Sequence, residues 1–343
     1  MAEGRGMPSQ PTLEEVAAIA GVSRATASRV INGSSRVSVP AKTAVDKAVA
    51  ELGYVPNRAA RQLVTRRTDS IGLVVSEPET RVFSDPFFSA ALRGVSDALS
   101  STDMHLVLLM AQNDAHRARL ERYVQNRHVD GVLLMSLHGA DPLPQAITRL
   151  GMPVVLFGRP VLGSDEVTWV DADNVGGASS AVDHLFAAGR RTIATITGPQ
   201  DMCAGLDRLE GYRSALARHG LPYDETLVGL GDFTEAGGMR LAQELVARRP
   251  DIDAVFVASD LMATGALHAL RSTGRTVPGD VAVIGFDDSP SAPYTDPPLT
   301  TVRQPVEQMA RQMTDMLLTQ ISTGDRALQH IVVGTSLVVR SSA

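Results

Sequence analysis

Cysteine is almost absent from this 343-residue chain. Cys203 stands alone, so neither a disulfide framework nor a cysteine-based zinc site can form. A single thiol without bridges fits a reducing compartment, and the expected location is the cytoplasm. Long apolar runs are missing as well. The clearest, residues 131–135 and 154–157, are strand-sized and far short of the roughly 18 residues of a membrane helix. The stretch up to Pro11 has no apolar run, which argues against a secretory signal. There is no P-loop, no G-x-G-x-x-G after a strand, no H-E-x-x-H and no G-x-S-x-G, and the eight histidines show no metal spacing. Catalytic residues, a metal, an organic cofactor and a membrane partner are therefore not expected.

Hydrophobic residues make up 44% of the chain, enough for a sizeable core. The length suits two or three domains. The formal charge is −6, which taken alone argues against a nucleic-acid partner. Its distribution argues the other way. Residues 1–68 hold ten basic and five acidic side chains, a net +5, leaving −11 on the rest. A basic head on an acidic body suggests that only one region meets polyanions.

Residues 1–11 read as a disordered tail. Thr12 with Glu15 three residues later forms a capping box, and Leu13, Val16, Ala17 and Ala20 give the apolar face of a helix. Gly21 turns the chain. Ser23 caps a second helix, 24–31, which Asn32 and Gly33 stop. A third helix spans 40–52, with Ala44, Val45, Ala48, Val49 and Leu52 inward. From Ser70 onward, strand-like runs at 71–75, 106–110, 131–135, 154–157, 192–197, 254–258 and 281–285 alternate with helical stretches. That rhythm predicts parallel sheets covered on both faces, and its length predicts two lobes with a cleft between them. A last strand is expected at 331–339. The expected fold class is α/β: an all-α helix-turn-helix headpiece at 12–57, a hinge and linker at 58–68, and a two-lobed, doubly wound core at 69–343.

Helix, glycine turn and helix make a rigid pair whose second member can enter a major groove. Ala25, Thr26, Ala27 and Ser28 are small enough for close approach. Arg24 and Arg29 can reach base edges, where a bidentate pair with guanine gives about 1–3 kcal/mol of discrimination. Thr26 and Ser28 can donate to phosphates. The run from Val16-Ala17 through Gly21-Val22-Ser23 and Ser28-Arg29-Val30 to Leu52-Gly53-Tyr54 and Pro56-Asn57-Arg58-Ala59-Ala60 resembles the LacI/GalR family of repressors. The resemblance covers the chain from Thr12 onward and implies a periplasmic-binding-protein-like core. It puts Arg24, Ala25 and Arg29 on base-reading positions, with Ala27 where valine is usual. The full set expected on DNA adds Thr12, Ser23, Asn32, Tyr54, Asn57 and Arg58.

Residues 58–64 are too few for a stable isolated helix, so this segment is expected to order on DNA. The resemblance implies a hinge helix in the minor groove, with Leu63 as a wedge and Ala60 beside it. The alternative packs Leu63 into the core domain. One small reader binds weakly, so a homodimer on palindromic double-stranded operator DNA is expected. The chain adds no leucine heptads after its last strand, which favours a dimer over the family's tetramer.

A sugar site needs carboxylates, amides, arginine and aromatic faces. Arg208, Asp260 and Asp287 follow expected strands or open helices, where α/β ligand sites form. Phe233 and Trp169 are candidate stacking faces; lobe packing is the favoured reading of Trp169, and core packing weighs equally with the pocket for Phe233. The resemblance implies effector contacts from Arg208, Asp287, Ser259 and Asp260, with Phe233 and Gln304 flanking the pocket. It also implies a mobile segment at Asp85-Pro86-Phe87-Phe88, giving Phe87 and Phe88. Gly158-Arg159 departs from the family, many of whose members carry aspartate at the first position, and Arg159 is the expected replacement. Asp171, Asp173 and Asn174 lack the spacing of a calcium loop and read as a solvated loop. Segments such as 129–138, 198–202 and 231–234 are similar to actinobacterial regulators of cellobiose and related oligosaccharides. The implied function is a repressor of sugar-utilisation genes, released from a palindromic operator by a small sugar. The alternative is an activator or corepressor-dependent regulator responding to another metabolite.

Overall fold

The computed structural model describes residues 11–31, 34, 36–55 and 67–343, and the chain divides into two compact units, 1–68 and 69–343. Asn32, Asn57, Arg58, Ala60, Leu63, the 58–64 hinge and all of the N-terminal tail except Pro11 lie outside the described residues.

The first unit holds α1 (Leu13–Ile19), α2 (Arg24–Ile31) and α3 (Val39–Leu52). The capping box at Thr12 is formed in both directions: Oγ1 accepts from the Glu15 amide at 3.3 Å, and Glu15 accepts from the Thr12 amide at 2.7 Å. Ser23 Oγ caps α2 through the Thr26 amide at 3.1 Å. α3 ends on Gly53 in the left-handed region, at φ 61°. The three helices meet on Val16, Ala17, Ala27, Val30, Val45 and Ala48.

The second unit contains two six-stranded sheets of matching order. The first joins β1 (Ser70–Val75), β2 (His105–Met110), β3 (Gly131–Met135), β4 (Val154–Phe157), β5 (Thr168–Ala172) and β11 (His330–Val333), in the order β11-β5-β4-β3-β1-β2, all parallel. The second joins β6 (Ile193–Thr197), β7 (Val228–Leu230), β8 (Ala254–Val257), β9 (Ala282–Asp287), β10 (Thr300–Arg303) and β12 (Ser336–Val338), in the order β12-β10-β9-β8-β6-β7. Only the β10–β12 pair is antiparallel. Each sheet is buried on both faces. In β1, Ile71, Leu73 and Val75 enter one core while Val74 enters the other.

Helices α4 (Glu79–Ser84), α5 (Pro86–Leu99), α6 (Asp114–Gln125) and α7 (Leu143–Arg149) belong to the first lobe. Helices α8 (Asn174–Ala187), α9 (Cys203–Arg218), α10 (Glu235–Arg248) and α11 (Asp260–Ser272) cover the second. α12 (Val306–Thr323) returns to the first lobe, where Met309, Met313 and Leu317 pack with Phe88 and Leu133. The chain thus passes between lobes after β5, after β10 and after β11.

Two expectations change here. The strand at 331–339 is two strands on different sheets: the backbone crosses at Gly334 and Thr335, whose hydroxyl donates to the Asp173 carbonyl at 3.2 Å. The loop reading of 171–174 is also overturned. Asp171 lies in β5 at 6% exposure and Asn174 opens α8 at 2%, because this stretch is a crossing between lobes. Elements α4, β5, β7, β10 and α12 were not assigned from the sequence.

Candidate functional site

Parallel strands end together, and the loops leaving those ends line the gap between the lobes. The cleft there holds about 770 Å³ of space, open solvent at its mouth included. No helix among the described residues is long and apolar enough to cross a membrane, and no three His, Cys, Asp or Glu side chains group there to hold a metal ion.

Arg208 forms the floor on the second lobe. It sits in the second turn of α9 and is only 4% exposed. Its Nε donates to Asn174 Oδ1 at 2.9 Å, Nη1 to the Ala258 carbonyl at 2.6 Å and Nη2 to Gln304 Oε1 at 2.8 Å. Asp287 Oδ1 lies 3.7 Å from Nη1, and the Phe286 ring centroid is 3.7 Å from Cζ. Four chain segments therefore hold one guanidinium, which keeps its planar fork in one orientation. Burial lowers its pKa, and Asp287 opposes that shift. A guanidinium has five N–H donors, so capacity remains for a bound hydroxyl.

Asp287 ends β9 with φ at 121°, an unusual backbone for a non-glycine residue. Burial raises its carboxyl well above the usual carboxylate range, with Arg208 pulling the other way. Asp260 lies behind it, 1% exposed, accepting from the Thr301 hydroxyl at 2.5 Å and the Ser289 amide at 2.7 Å. Burial pushes Asp260 up to about 7. A Cβ on Gly285 would stand 2.3 Å from its Oδ1, so that close approach requires glycine. Ser259 caps α11 through the Met262 amide at 3.2 Å.

The first lobe supplies a different wall. Phe87 and Phe157 meet edge to face at 5.4 Å and face the cleft. Asp85 caps α5 through the Phe87 amide at 3.0 Å, and burial raises its carboxyl. Asp171 accepts from the backbone amides of Arg159 at 3.2 Å and Ala172 at 2.8 Å, and from Asn174 Nδ2 at 3.1 Å. The Arg159 side chain crosses to the second lobe, its Nη2 lying 2.8 and 2.6 Å from the two carboxylate oxygens of Asp207. Arg81 also reaches across, with Cζ 5.1 Å from the Phe233 ring centroid. Phe233 is 5% exposed and serves both the core of its lobe and the cleft.

Of the nine side chains expected at the effector site, Phe87, Arg159, Arg208, Phe233, Ser259, Asp287 and Gln304 line this cleft. Phe88 and Asp260 do not. Phe88 turns into the first-lobe core at 1% exposure, because successive helical residues face different sides. Asp260 supports the loop bearing Asp287 from behind. Trp169 packs within its lobe, the favoured reading of the sequence: it stacks on His330 at 4.9 Å, and its Nε1 donates to the Ser164 carbonyl at 3.0 Å. Sequence reasoning missed Arg81, Phe157, Asp171, Asn174, Met202 and Cys203. Their signal was position, at strand ends and helix starts. The Cys203 thiol is pushed to about 11 by burial, so it is protonated at neutral pH.

In the first unit, Arg24, Ala25 and Arg29 are exposed on α2, while Ala27 and Val30 on the same helix are buried. Arg24 Nε lies 2.5 Å from Glu14 Oε1, a surface pair that binds little in competition with phosphate or base. Thr12 and Ser23 are exposed but already serve as caps. Thr26 and Ser28 are half-buried. Tyr54 packs partly against the helical core, and its amide donates to the Val49 carbonyl at 3.0 Å.

Residues 12–57 match the model of bacterial regulatory proteins, lacI family, and residues 182–343 that of a periplasmic binding protein-like domain. The chain is 51% identical to the HTH-type transcriptional regulator CelR of Thermobifida fusca over 97% of its length and 98% of that protein. It is 34% identical to the ribose operon repressor of Escherichia coli K12, covering 97% and 99%. A solved CelR–cellobiose complex superposes with TM-score 0.79 at 49% identity, covering 97% of this chain and all of that one. The Lac repressor dimer bound to operator and the anti-inducer ONPF superposes with TM-score 0.84 at 27% identity, covering 97% and 99%.

Proposed function

Because the chain belongs to the lacI family of bacterial regulatory proteins, we propose that it is a homodimeric repressor that grips a palindromic operator and is released when its cleft takes cellobiose or a related β-linked oligosaccharide. The observation that carries the sugar assignment is the cleft's composition: a fixed arginine, buried carboxylates and amides, and three phenylalanine rings at one gap. Sugar hydroxyls need the former and ring C–H faces the latter. The proposed division is a DNA reader at 12–57, a hinge at 58–68 and an effector-binding, dimerising body at 69–343. The effector contacts are Phe87, Arg159, Arg208, Phe233, Ser259, Asp287 and Gln304, with Asn174 and Asp171 added. On DNA, the exposed Arg24, Ala25 and Arg29 read bases, Thr26 and Ser28 meet phosphate, and Leu63 with Ala60 enters the minor groove. The protein acts in the cytoplasm, at the nucleoid, and catalyses no reaction.

Closing the cleft over the sugar disfavours the operator-bound state. Coupling of this kind is reciprocal, so operator weakens sugar binding by the factor by which sugar weakens operator, about 5–150-fold in typical cases. Fluorescence anisotropy on an operator from the gene's own upstream region, at fixed salt and titrated with a sugar panel led by cellobiose, tests the reading. Release by one sugar supports it, and independent binding of sugar and operator ends it. In the same assay Arg24→Ala lowers discrimination against a mismatched operator by about 1–3 kcal/mol. Lys42→Ala weakens binding slightly and uniformly.

A further inference from the structure

His138 stands between two carboxylates from different lobes. Its Nε2 is 3.1 Å from Glu77 Oε1, in the first lobe with it, and its Nδ1 is 3.0 Å from Asp201 Oδ2, in the loop after β6 of the second lobe. Next to it the Gly139 amide donates to the Asp201 carbonyl at 2.6 Å, also across the gap. Leu137 and Met202, chain neighbours of the pair, line the cleft, so the contact lies at its rim. A neutral imidazole has one N–H and would set a lone pair against one of the two carboxylates. Only the imidazolium donates from both nitrogens. We propose that His138 is a positioning residue for the effector: a clasp that holds the lobes together in its protonated form and releases them when it loses the proton.

The inference rests on the effector reading of the cleft. The charged groups facing the ring are Glu77 and Asp201, with Arg81 of α4 bonded to the same Glu77 oxygen. Glu77 is 3% exposed and follows a strand of the same sheet as His138, so lobe opening leaves that pair intact. Asp201 reaches the ring from the other lobe, so its share alone couples protonation to closure. The Glu77 hydrogen bond is the leading cause that raises the His138 pKa above its usual value, and Asp201 adds to it. Glu77 raises the open-form value and Asp201 raises the closed-form value further, so the clasp is complete below the open-form value and fails as pH climbs through the closed-form one. Effector affinity therefore weakens with rising pH.

The test uses the full chain and cellobiose, by calorimetry from pH 6 to pH 8, beside Asp201→Asn and His138→Gln. Wild type should lose about two- to fivefold in affinity across this range, the size of a partly exposed ion pair. Both variants should be flat. A wild-type slope that survives in both belongs to the buried carboxyls Asp85, Asp260 or Asp287 and overturns the clasp. A second readout separates the two readings: the exchange protection of the Gly139 amide without sugar, relative to an unstructured amide at each pH. It should fall with pH in wild type and not in Asp201→Asn. If cellobiose binds at no pH, the sugar reading fails and this amide decides the clasp, a flat wild-type profile ending it.

Discussion

The two lobes share one strand order and one way of burying their sheets, yet they furnish the cleft by opposite means. In the second lobe, Arg208 is held by Asn174, Gln304, Asp287 and the Ala258 carbonyl, a floor whose one tie to the first lobe runs from Asn174 to β5 at the chain crossing. In the first lobe, the cations also reach across the gap: Arg159 to Asp207, and Arg81, bonded to Glu77 of its own lobe, over Phe233. One lobe holds a largely finished surface, and the other adds the side chains that reach across the gap. Preorganised polar groups lose little on binding, whereas contacts made on closure let binding do mechanical work.

Substitutions can break that contrast. Arg208→Met should have the largest effect, because it leaves Asp287, Asn174 and Gln304 buried without their common partner. Cellobiose affinity should fall by on the order of a hundredfold or more, while operator binding persists, giving a repressor that sugar does not release. An unchanged response would move the floor elsewhere. Phe87→Ala removes an aromatic face and should cost about tenfold in sugar affinity by calorimetry. Arg159→Ala removes a half-exposed pair and should cost about two- to fivefold; a hundredfold loss there would make Arg159 part of the floor. Asp260→Asn should barely change sugar affinity at neutral pH and should show instead in melting temperature. With its carboxyl raised to about 7, wild type loses stability as pH rises from about 4 to 7, and the amide variant should be flatter over that window.

The head was legible because its determinants are local. Capping by Thr12, the turn at Gly21 and the apolar spacing of α1 and α3 lie within a few residues of one another. Strands β1, β3 and β4 stood out as unbroken apolar runs. Helix α12 is equally periodic, with Val306, Met309, Ala310, Met313 and Leu317 inward, and was as legible as these strands. Strand β7 has three residues, too short to carry a pattern, and β12 was legible only as the end of one continuous strand with β11. The site was harder. Arg208 and Asp287 were identifiable by their strand-end positions and by resemblance. Asp171 and Asn174 looked like loop residues because nothing local indicates that a chain crossing is buried from both sides. Phe87 and Phe88 are adjacent and chemically alike, and only the packing of α5 decides which one faces the cleft.

The return of α12 and β11 to the first lobe has a consequence for dissecting the molecule. Neither lobe is a contiguous stretch of chain, so no single cut yields one of them whole. Removing residues from 306 onward strips the layer of Met309, Met313 and Leu317 from a sheet whose first strand begins at Ser70, more than two hundred residues earlier. Damage at the carboxyl end should therefore be felt first in the amino-terminal lobe. With three separate passages tying the halves together, each also limits how far the others can twist, leaving a bending motion like that of a door on several pins.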